Sequence, residues 1–575
     1  MVVGTSLEEV LMDNAERKLS CVNGPALEEE PALGALTLSG FFAEVCERHA
    51  AREALVYRDA DGQMQRWSYT ELMQQSRAVA KALTAGGLCK GARVGIMMTN
   101  RPEWVAAAFG IAMAGGVVVA LNTFATPREF EFFIRQADCS VLLLEETMQQ
   151  KNFLADLRQF LPEISQANPG NLQFETFPSL RRVVVLGDSQ DCSGVEPWSQ
   201  FISSAATVSE QFCDAIANAV CEADEAVVFF SSGSTALPKG IRHNHRAVAI
   251  QCWRWARLLE LQSDVRAWTP NGFFWSGNFC VLLGATLAVG GCVVLQPYFN
   301  ADEALDLLVS EKISYPFVWP HQMADLVAAP GYMEADLSSF YYVDADWPFS
   351  VNPTVIDNGW RYPGNSFGCS ETITINCSYP ASTPLEIREK SHGIPMPGNT
   401  LAIVDVMDGR PVPLGEHGEI AIKGATLMTG YLRVPLDMVL DENGFYRTGD
   451  GGYIDDRGRL IWQGRLNDVI KTGGANVSPQ EVDTILMKYG GIKAAHTVGV
   501  EHDTLGEMVV ACIVPMAGNT IDENGLNAFL RENLASYKRP RELLLLKDED
   551  LTFTANNKIK IDALRELAAE RLASR

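Results

Sequence analysis

The sequence predicts an α/β protein with a large N-terminal region of mostly parallel sheets covered by helices, and a small α+β C-terminal domain. A helical pattern beginning at Tyr69 is followed by strand-like residues 93–98, and this alternation continues over most of the chain. Alternating helices and strands are typical of parallel sheets with helical cover. Between Gly393 and Gly424 short strand-like segments alternate with Gly- and Pro-bearing turns, which predicts a strand-rich subdomain. The chain has 575 residues, which is too long for a single hydrophobic core, so at least two domains are expected.

Two long uncharged runs, residues 104–121 and 280–295, are candidates for membrane spans or for buried elements. A Gly-Gly pair divides each run, at residues 115–116 and 290–291. The second part of the first run is rich in β-branched residues. We therefore interpret both runs as a buried helix followed by a buried strand, and we expect no transmembrane segment.

The C-terminal domain is predicted to begin just after Gly464, which divides the chain into residues 1–464 and 465–575. Ser478 is placed to cap a helix, with Glu481 at the capping-box position. A strand over residues 508–514 and a helix over residues 561–572 are expected to complete this domain. The linker around Asn467 is short and polar, so we expect the two domains to move about it.

Charge and cysteine content restrict the partners and the compartment. The formal net charge is −24 and the pI is near 4.8, which argues against a surface for nucleic acids or anionic membranes. The N-terminus lacks a signal-peptide pattern, and the 13 cysteines include no C-x-x-C pair. We therefore expect reduced thiols and a cytoplasmic protein. His243 and His245 lack further ligands at zinc spacing, so a solvated or structural role is favoured.

A loop rich in small hydroxyl residues follows the apolar residues 226–230. Such a loop at the end of a buried strand can donate backbone N–H groups and hydroxyls to phosphate oxygens, and its lysine adds a positive charge. It is not a Walker A sequence, because Lys239 is followed by Gly240 rather than by Ser or Thr. We predict a nucleotide triphosphate site formed by Ser231, Ser232, Gly233, Ser234, Thr235 and Lys239.

Further segments supply the other groups that ATP chemistry needs. Phe367 and Gly368 precede Ser370 and Glu371, so one short segment offers an aromatic ring for a base, a hydroxyl for a phosphate and a carboxylate for Mg²⁺. Asp450 is suited to accept the hydroxyls of a ribose. Taken singly, Glu371 and Asp450 also fit helix caps or solvated acids, and Arg465 and Lys558 also fit surface cations.

In their order along the chain, these segments resemble the adenylate-forming superfamily, which includes acyl-CoA synthetases, nonribosomal-peptide adenylation domains and luciferase-like enzymes. The resemblance covers the chain from about residue 40 to the end. It implies that ATP phosphates bind the hydroxyl loop, that Glu371 binds Mg²⁺, and that Asp450 and Arg465 bind the ribose. It also implies that Lys558 is the catalytic lysine, and that a hairpin with Gly473 and Gly474 approaches the thiol of CoA after rotation about Asn467.

Several positions depart from the pattern of that family. Ala236 replaces a glycine of the phosphate loop, Asn557 replaces the glycine before Lys558, and Asn467 stands where the hinge usually has Asp or Lys. The largest departure is the segment Asp344-Ala345-Asp346-Trp347, where relatives have a small, Gly-rich loop.

The resemblance implies an enzyme that activates a carboxylic acid with ATP and Mg²⁺ and transfers the acyl group to CoA. Trp275 and Gly277 match the family's acyl-pocket segment, and Trp347 and Trp319 lie in segments that line the same region in relatives. If these tryptophans line the pocket rather than the core, the acid is apolar. Two alternatives stay open: transfer to a carrier protein or an amine, and a nucleotide- or acyl-binding protein without turnover.

Overall fold

The computed structural model describes residues 18–187, 193–231, 238–466, 468, 470–472, 475–502, 504–534, 536–553 and 559–574. The chain forms two compact units. The larger unit comprises Asn23–Asn399 and Lys423–Glu442, and the smaller one comprises the described residues of Met1–Val22, Thr400–Ile422 and Asn443–Arg575. Residues 443–464 thus group with the C-terminal residues, and the boundary predicted after Gly464 stays a prediction.

An eight-stranded mixed sheet forms the centre of the larger unit. Its first six strands are parallel, and the last two are antiparallel to their neighbours. The strands in spatial order are Glu196–Pro197, Arg182–Leu186, Val141–Glu145, Arg93–Met97, Val117–Ala120, Glu225–Ser231, Lys239–Asn244 and Gly430–Tyr431.

A second sheet of the larger unit has five strands, with one antiparallel pair at its edge. The strands in spatial order are Tyr315–Pro316, Arg266–Thr269, Cys292–Leu295, Glu53–Arg58 and Met64–Ser68. Two-stranded pairs are formed by Thr147–Met148 with Lys151–Asn152, and by Cys377–Ser378 with Ile394–Pro395.

Helices cover these sheets, as the alternating pattern predicted. The α-helices of the larger unit are Leu38–Arg48, Tyr69–Ala85, Pro102–Met113, Pro127–Ala137, Phe153–Phe160, Trp198–Ser203, Glu210–Asn218, His245–Leu258, Ala285–Ala288, Ala301–Ser310, Pro320–Val327 and Leu385–Arg388. The helix predicted from Tyr69 is confirmed, and Ser68 and Glu71 form a capping box at its start.

Both faces of the eight-stranded sheet are buried. Along the strand Val117–Ala120, Val118 and Ala120 pack into one hydrophobic cluster, whereas Val117 and Val119 pack into another. Successive side chains of a strand point to opposite faces, so this division shows apolar packing on both sides of the sheet.

The two uncharged runs form buried helix–strand units, which confirms the interpretation made from their glycine pairs. The first run forms the helix Pro102–Met113 and the strand Val117–Ala120. In the second, Asn278–Gly284 is π-helical, Ala285–Ala288 is α-helical, and Cys292–Leu295 is a strand. None of the helices in the described part of the chain has the length and apolar character needed to cross a membrane.

The smaller unit contains two sheets of five strands each. The strands of the first, in spatial order, are Cys21–Asn23, Asn399–Val404, Gly418–Gly424, Tyr446–Ile454 and Leu460–Arg465. The second and third of these strands confirm the strand-rich segment predicted between Gly393 and Gly424. In the other, Gly506–Pro515 pairs with Ile492–His502, Ile470–Thr472 and Glu542–Leu545, and Ile470–Thr472 pairs in turn with Ala475–Val477. The α-helices are Pro479–Leu486, Glu523–Asn533 and Ile561–Ala573.

The helix Pro479–Leu486 carries a partly buried carboxyl group. Ser478 caps this helix as predicted, by accepting a hydrogen bond from the backbone N–H of Glu481. Asp483 faces the neighbouring strand, where the Thr497 hydroxyl donates to its Oδ1 at 2.6 Å. Burial raises the pKa of Asp483 from 3.8 to about 7, and the hydrogen bond from Thr497 opposes that shift.

This pKa predicts that the smaller unit loses stability as the pH rises from about 4 to about 7. In that window the folded state holds a proton on Asp483 that the unfolded chain releases, so the free energy of unfolding falls by at most about 1.4 kcal/mol per pH unit. Asp483→Asn removes this dependence and keeps an oxygen that can accept from Thr497. Chemical unfolding of the full chain at pH 5, 6.5 and 8 should show the variant gaining stability relative to wild type as the pH rises.

A control for this experiment is Asp456→Asn, which changes an exposed aspartate of the same unit. Its effect on stability should be the same at all three pH values. A difference between Asp483→Asn and wild type that stays constant with pH would contradict the assignment.

Candidate active site

The hydroxyl-rich segment connects two paired strands of the eight-stranded sheet. Ser231 ends one strand and pairs with Lys239, the first residue of the next strand. Ser232, Gly233, Ser234 and Thr235, with Ala236, lie outside the described residues. The structure thus places the two ends of the predicted phosphate loop directly opposite each other, with the Lys239 side chain exposed.

Phe367 begins a compact turn that carries Ser370 and Glu371. Its backbone N–H and C=O both pair with Cys377, and its side chain is only 4% exposed. Gly368 has room only for hydrogen, because a Cβ atom there would lie 2.0 Å from the carbonyl oxygen of Thr374. Ser370, Glu371 and Thr372 then form one turn of 3₁₀-helix, so the residues predicted to supply the hydroxyl and the carboxylate are neighbours on that turn.

Two buried side chains support this turn through its backbone carbonyls. His243 Nε2 lies 2.9 Å from the Ser370 carbonyl oxygen, and burial lowers the pKa of His243 to about 4, so the ring is neutral and donates there. Gln251 Nε2 donates to the carbonyl oxygens of Thr372 at 2.8 Å and Ile375 at 2.9 Å. The structural role favoured for His243 is thereby observed, and the solvated alternative is wrong because the residue is buried.

The helix that carries Gln251 is itself fixed by a buried ion pair. Arg254 and Glu30 are both inaccessible to solvent, and Arg254 Nη2 lies 2.6 Å from Glu30 Oε2. Arg257 pairs with the other carboxylate oxygen of Glu30 at 2.9 Å. Because breaking such a pair would leave an unpaired buried charge, the helix is firmly held in the larger unit.

Glu371 contacts Tyr431, a residue for which the sequence analysis predicted no role in the site. The hydroxyl of Tyr431 donates to Glu371 Oε1 at 2.7 Å, and the backbone N–H of Met428 donates to the Glu371 carbonyl oxygen at 2.7 Å. Lys239 Nζ lies 5.1 Å from the centroid of the Tyr431 ring. Tyr431 thus links the lysine of the phosphate loop to the predicted magnesium ligand. The sequence signal was weak: an aromatic residue after a glycine on a two-residue strand.

The donor set around Glu371 fits Mg²⁺ bound mainly by a nucleotide. Mg²⁺ prefers oxygen ligands and is commonly held by one or two carboxylates with substrate phosphates. Glu371 and Ser370 supply a carboxylate and a hydroxyl on one turn. Over the described ranges, no cluster of three or more His, Cys, Asp or Glu side chains could hold a metal ion by itself.

Asp450 and Arg465, the residues predicted to bind the ribose, are paired in the smaller unit. They face each other on adjacent antiparallel strands, and Arg465 Nε lies 3.2 Å from Asp450 Oδ1. Arg465 Nη1 also donates to the Thr448 carbonyl oxygen at 2.7 Å. Trp462, which sequence reasoning missed, donates from its indole nitrogen to Asp450 Oδ1 at 3.1 Å. The Asp450 carboxylate is therefore oriented by two donors on the neighbouring strand.

The residues predicted for the acyl pocket belong to two different aromatic groups. Trp275 lies edge-on to Trp319, with ring centroids 6.5 Å apart, and a Cβ placed on Gly277 would meet open space. Trp347 instead packs against Trp360 and Tyr362, at 6.5 Å and 5.6 Å.

The unusual segment that precedes Trp347 has a structural explanation. Asp344 accepts a hydrogen bond from the backbone N–H of Tyr362 at 3.0 Å, and lies 3.6 Å from the Arg361 guanidinium. These contacts tie residues 344–347 to the segment that leads into Phe367.

The other predicted residues of the smaller unit lie outside the described residues, although their flanks are described. The described residues nearest to Lys558 in the sequence are Phe553 and Ile559, which pair with each other. Gly473 and Gly474 lie between two short strands, where Thr472 pairs with Ala475. The predicted hinge residue, Asn467, follows Leu466, whose N–H donates to the Gly449 carbonyl oxygen at 2.8 Å.

Comparisons with known proteins agree with these features. Residues 42–432 match the AMP-binding enzyme family, and residues 481–558 match the AMP-binding enzyme C-terminal domain. The mitochondrial medium-chain acyl-CoA ligase ACSF2 of Danio rerio is 28% identical over 92% of this chain and 87% of its own. The indoleacetate–CoA ligase of Aromatoleum aromaticum is also 28% identical, over 92% of this chain and 98% of its own.

Solved structures show the same fold. The anthranilate CoA ligase AuaEII in complex with anthranoyl-AMP superposes with a TM-score of 0.75 at 23% identity, covering 95% of this chain and 99% of the other. The ATP-bound MatB of Rhodopseudomonas palustris superposes with a TM-score of 0.71 at 24% identity, covering 93% and 99%. Together with both matched family regions, in the same order along the sequence, these findings show that the chain is a ligase of the AMP-binding enzyme family.

Proposed function

We propose that this protein is an AMP-forming acid–CoA ligase that activates an apolar carboxylic acid through an acyl-adenylate. The observation that carries the proposal is that Tyr431 contacts both the Glu371 carboxylate and the ammonium of Lys239, the exposed lysine at the end of the predicted phosphate loop. The carboxylate can bind a metal ion that is also bound by phosphates, and the ammonium can bind the phosphates directly.

In the first step, a carboxylate oxygen of the acid attacks the α-phosphorus of ATP, an O–P bond forms, and the bond to the β-phosphate breaks with release of pyrophosphate. Positioning and electrostatic stabilisation are the main contributions a protein can make to such a transfer. Lys239 would bind the phosphates and the Asp450–Arg465 pair the ribose. Glu371, with Ser370 beside it, would hold Mg²⁺, which neutralises charge on the phosphate oxygens.

In the second step, the thiol of CoA gives up its proton to solvent and its sulfur attacks the acyl carbon. The thioester bond forms, and AMP leaves with the electrons of the acyl–oxygen bond. The names of the two relatives support CoA as the acceptor, because both are CoA ligases. The hairpin of Ile470–Thr472 and Ala475–Val477 would bring Gly473 and Gly474 to the thiol.

The corner formed by Trp275 and Trp319 would bind the acyl group. Both rings are partly exposed, and Gly277 beside Trp275 borders open space. Apolar walls with few polar groups favour an apolar acid. The two relatives are named for a medium-chain acyl group and for indoleacetate, both of which have an apolar body.

The experiment that tests the function is pyrophosphate release with ATP and Mg²⁺ across a panel of aliphatic and aromatic acids, with and without CoA, with products identified by mass. We expect acid-dependent release and an acyl-CoA product. Acyl-adenylate that never becomes acyl-CoA would contradict CoA as the acceptor and favour a carrier protein or an amine. ATP binding by calorimetry with no turnover of any acid would favour a binding protein.

Lys558→Ala should slow adenylation by a factor on the order of 10²–10³ or more, because a preorganised positive charge at the reacting carboxylate and α-phosphate is lost. Thioester formation from supplied acyl-adenylate should be largely unchanged. Single-turnover assays of each half-reaction measure both rates. Lys560→Ala, which removes an exposed lysine two residues away, serves as the matched control and should leave both rates near wild type. Equal loss of both half-reactions in Lys558→Ala would refute this division of roles.

Trp319→Ala should shift the preferred acid towards longer or bulkier members of the panel, because it removes one wall of the corner. Gln322 holds Trp319 in place: its Oε1 accepts from the Trp319 backbone N–H at 3.0 Å, and its amide pairs with Asn271. For two acids that differ by two or more methylenes, the ratio of kcat/KM for the longer acid to that for the shorter acid should rise about tenfold or more, since each buried methylene contributes about 0.8 kcal/mol, or about fourfold. The same ratio in Trp360→Phe, which alters the other aromatic group, should change less; an unchanged ratio in Trp319→Ala would contradict this placement.

A further inference from the structure

Tyr431 stands between two groups that the proposed function assigns to ATP. Its hydroxyl donates to Glu371 Oε1 at 2.7 Å, and its ring centroid lies 5.1 Å from Lys239 Nζ. A hydrogen bond to a carboxylate is about twice as strong as one between neutral groups. A cation within about 6 Å of an aromatic ring face is attracted by the ring quadrupole. One side chain therefore restrains both the carboxylate and the ammonium.

The backbone of Tyr431 is fixed by the strand that begins at Lys239. Tyr431 pairs with Ile241 in antiparallel register. On either side, the N–H of Thr429 donates to the Arg242 carbonyl oxygen, and the N–H of Leu432 donates to the Gly240 carbonyl oxygen, both at 2.8 Å. The Tyr431 side chain is 7% exposed, so its orientation is restrained by packing as well.

Glu371 and Lys239 reach Tyr431 from different elements. Glu371 lies on the 3₁₀ turn Ser370–Thr372, and Lys239 begins the strand Lys239–Asn244. Glu371 is restrained at its backbone as well, by the N–H of Met428, three residues before Tyr431. The segment of residues 428–432 thus contacts both the turn Ser370–Thr372 and Lys239, at the end of the predicted phosphate loop.

We propose that Tyr431 is a positioning residue that couples the phosphate-binding lysine to the magnesium-binding carboxylate. The inference rests on the proposed function, because it takes the roles of Lys239 and Glu371 from it. The hydroxyl sets the orientation of the Glu371 carboxylate for Mg²⁺. The ring keeps the Lys239 ammonium on the side of the turn where the phosphates of ATP bind. A tyrosine with a purely structural role would affect the free energy of unfolding. Its substitution would change neither the Mg²⁺ concentration needed for ATP binding nor the contribution of Lys239 to ATP affinity.

Two substitutions separate the hydroxyl from the ring. Tyr431→Phe keeps the ring beneath Lys239 and removes the donor to Glu371, whereas Tyr431→Leu removes both. The measurement is the affinity for ATP by titration calorimetry, without acid or CoA, at a series of Mg²⁺ concentrations. Tyr431→Phe should raise the Mg²⁺ concentration needed for half-maximal ATP affinity by about tenfold, as expected for the loss of a hydrogen bond to a charged group. At saturating Mg²⁺ its affinity for ATP should approach that of wild type.

Tyr431→Leu should bind ATP about threefold more weakly than Tyr431→Phe even at saturating Mg²⁺, because the cation–π contact is lost. The Lys239→Met background tests the coupling. In that background Tyr431→Leu and Tyr431→Phe should bind ATP with equal affinity, since the cation is gone. Thermal unfolding of the same set of variants identifies any that fail to fold.

The control is Tyr332→Phe, which removes another buried tyrosine hydroxyl, one that donates to the Phe349 carbonyl oxygen at 3.0 Å. It should leave the Mg²⁺ dependence unchanged. A Mg²⁺ dependence of Tyr431→Phe equal to that of wild type would overturn the inference. So would a difference in affinity between Tyr431→Leu and Tyr431→Phe that is the same with and without Lys239. Failure of the proposed function is recognised separately, because the wild-type protein would then bind no ATP or turn over no acid.

Discussion

The candidate site depends on a tight turn that brings the backbone of Thr374 against that of Gly368. Any side chain at position 368 would collide with the Thr374 carbonyl oxygen and with Ile375 Cα, which would lie 2.5 Å from its Cβ atom. Ile373 and Thr374 both adopt positive φ angles, of 47° and 109°, to close the turn. This geometry places Ser370 and Glu371 on one short helical turn, and it directs the carbonyl groups of the turn towards His243 and Gln251.

The strand and the helix that follow the predicted phosphate loop also support the turn Ser370–Thr372. The strand Lys239–Asn244 begins at the end of the loop with Lys239 and carries His243, which holds Ser370. The helix His245–Leu258 follows immediately and carries Gln251. A displacement of the turn would strain its hydrogen bonds with His243 and Gln251, which lie on the strand and the helix that follow the loop. In the smaller unit, Arg465 and Trp462 on the adjacent strand hold the Asp450 carboxylate.

Local sequence patterns were sufficient to predict the fold class and many elements, because periodicity, glycine pairs and caps such as Ser478 report on neighbouring residues. They also placed Ser370 and Glu371 in one short segment with Phe367, but they did not predict the 3₁₀ turn that carries both residues. They could not predict the contact of Tyr431 with Glu371, 60 positions away, or of His243 with Ser370, 127 positions away. Such contacts depend on which strands become neighbours and in which register. The grouping of Trp347 with Trp360 and Tyr362, apart from Trp275, depends on tertiary packing in the same way.

The most direct test of the account is the fate of an isotope label in the carboxylic acid. An acid from the panel, labelled with ¹⁸O in its carboxylate, is incubated with the protein, ATP, Mg²⁺ and CoA, and the nucleotide products are analysed by mass. If the carboxylate attacks the α-phosphorus, one ¹⁸O atom must appear in AMP for each acyl-CoA formed. We expect this one-to-one transfer. Label in inorganic phosphate with formation of ADP, or AMP without label, would contradict it.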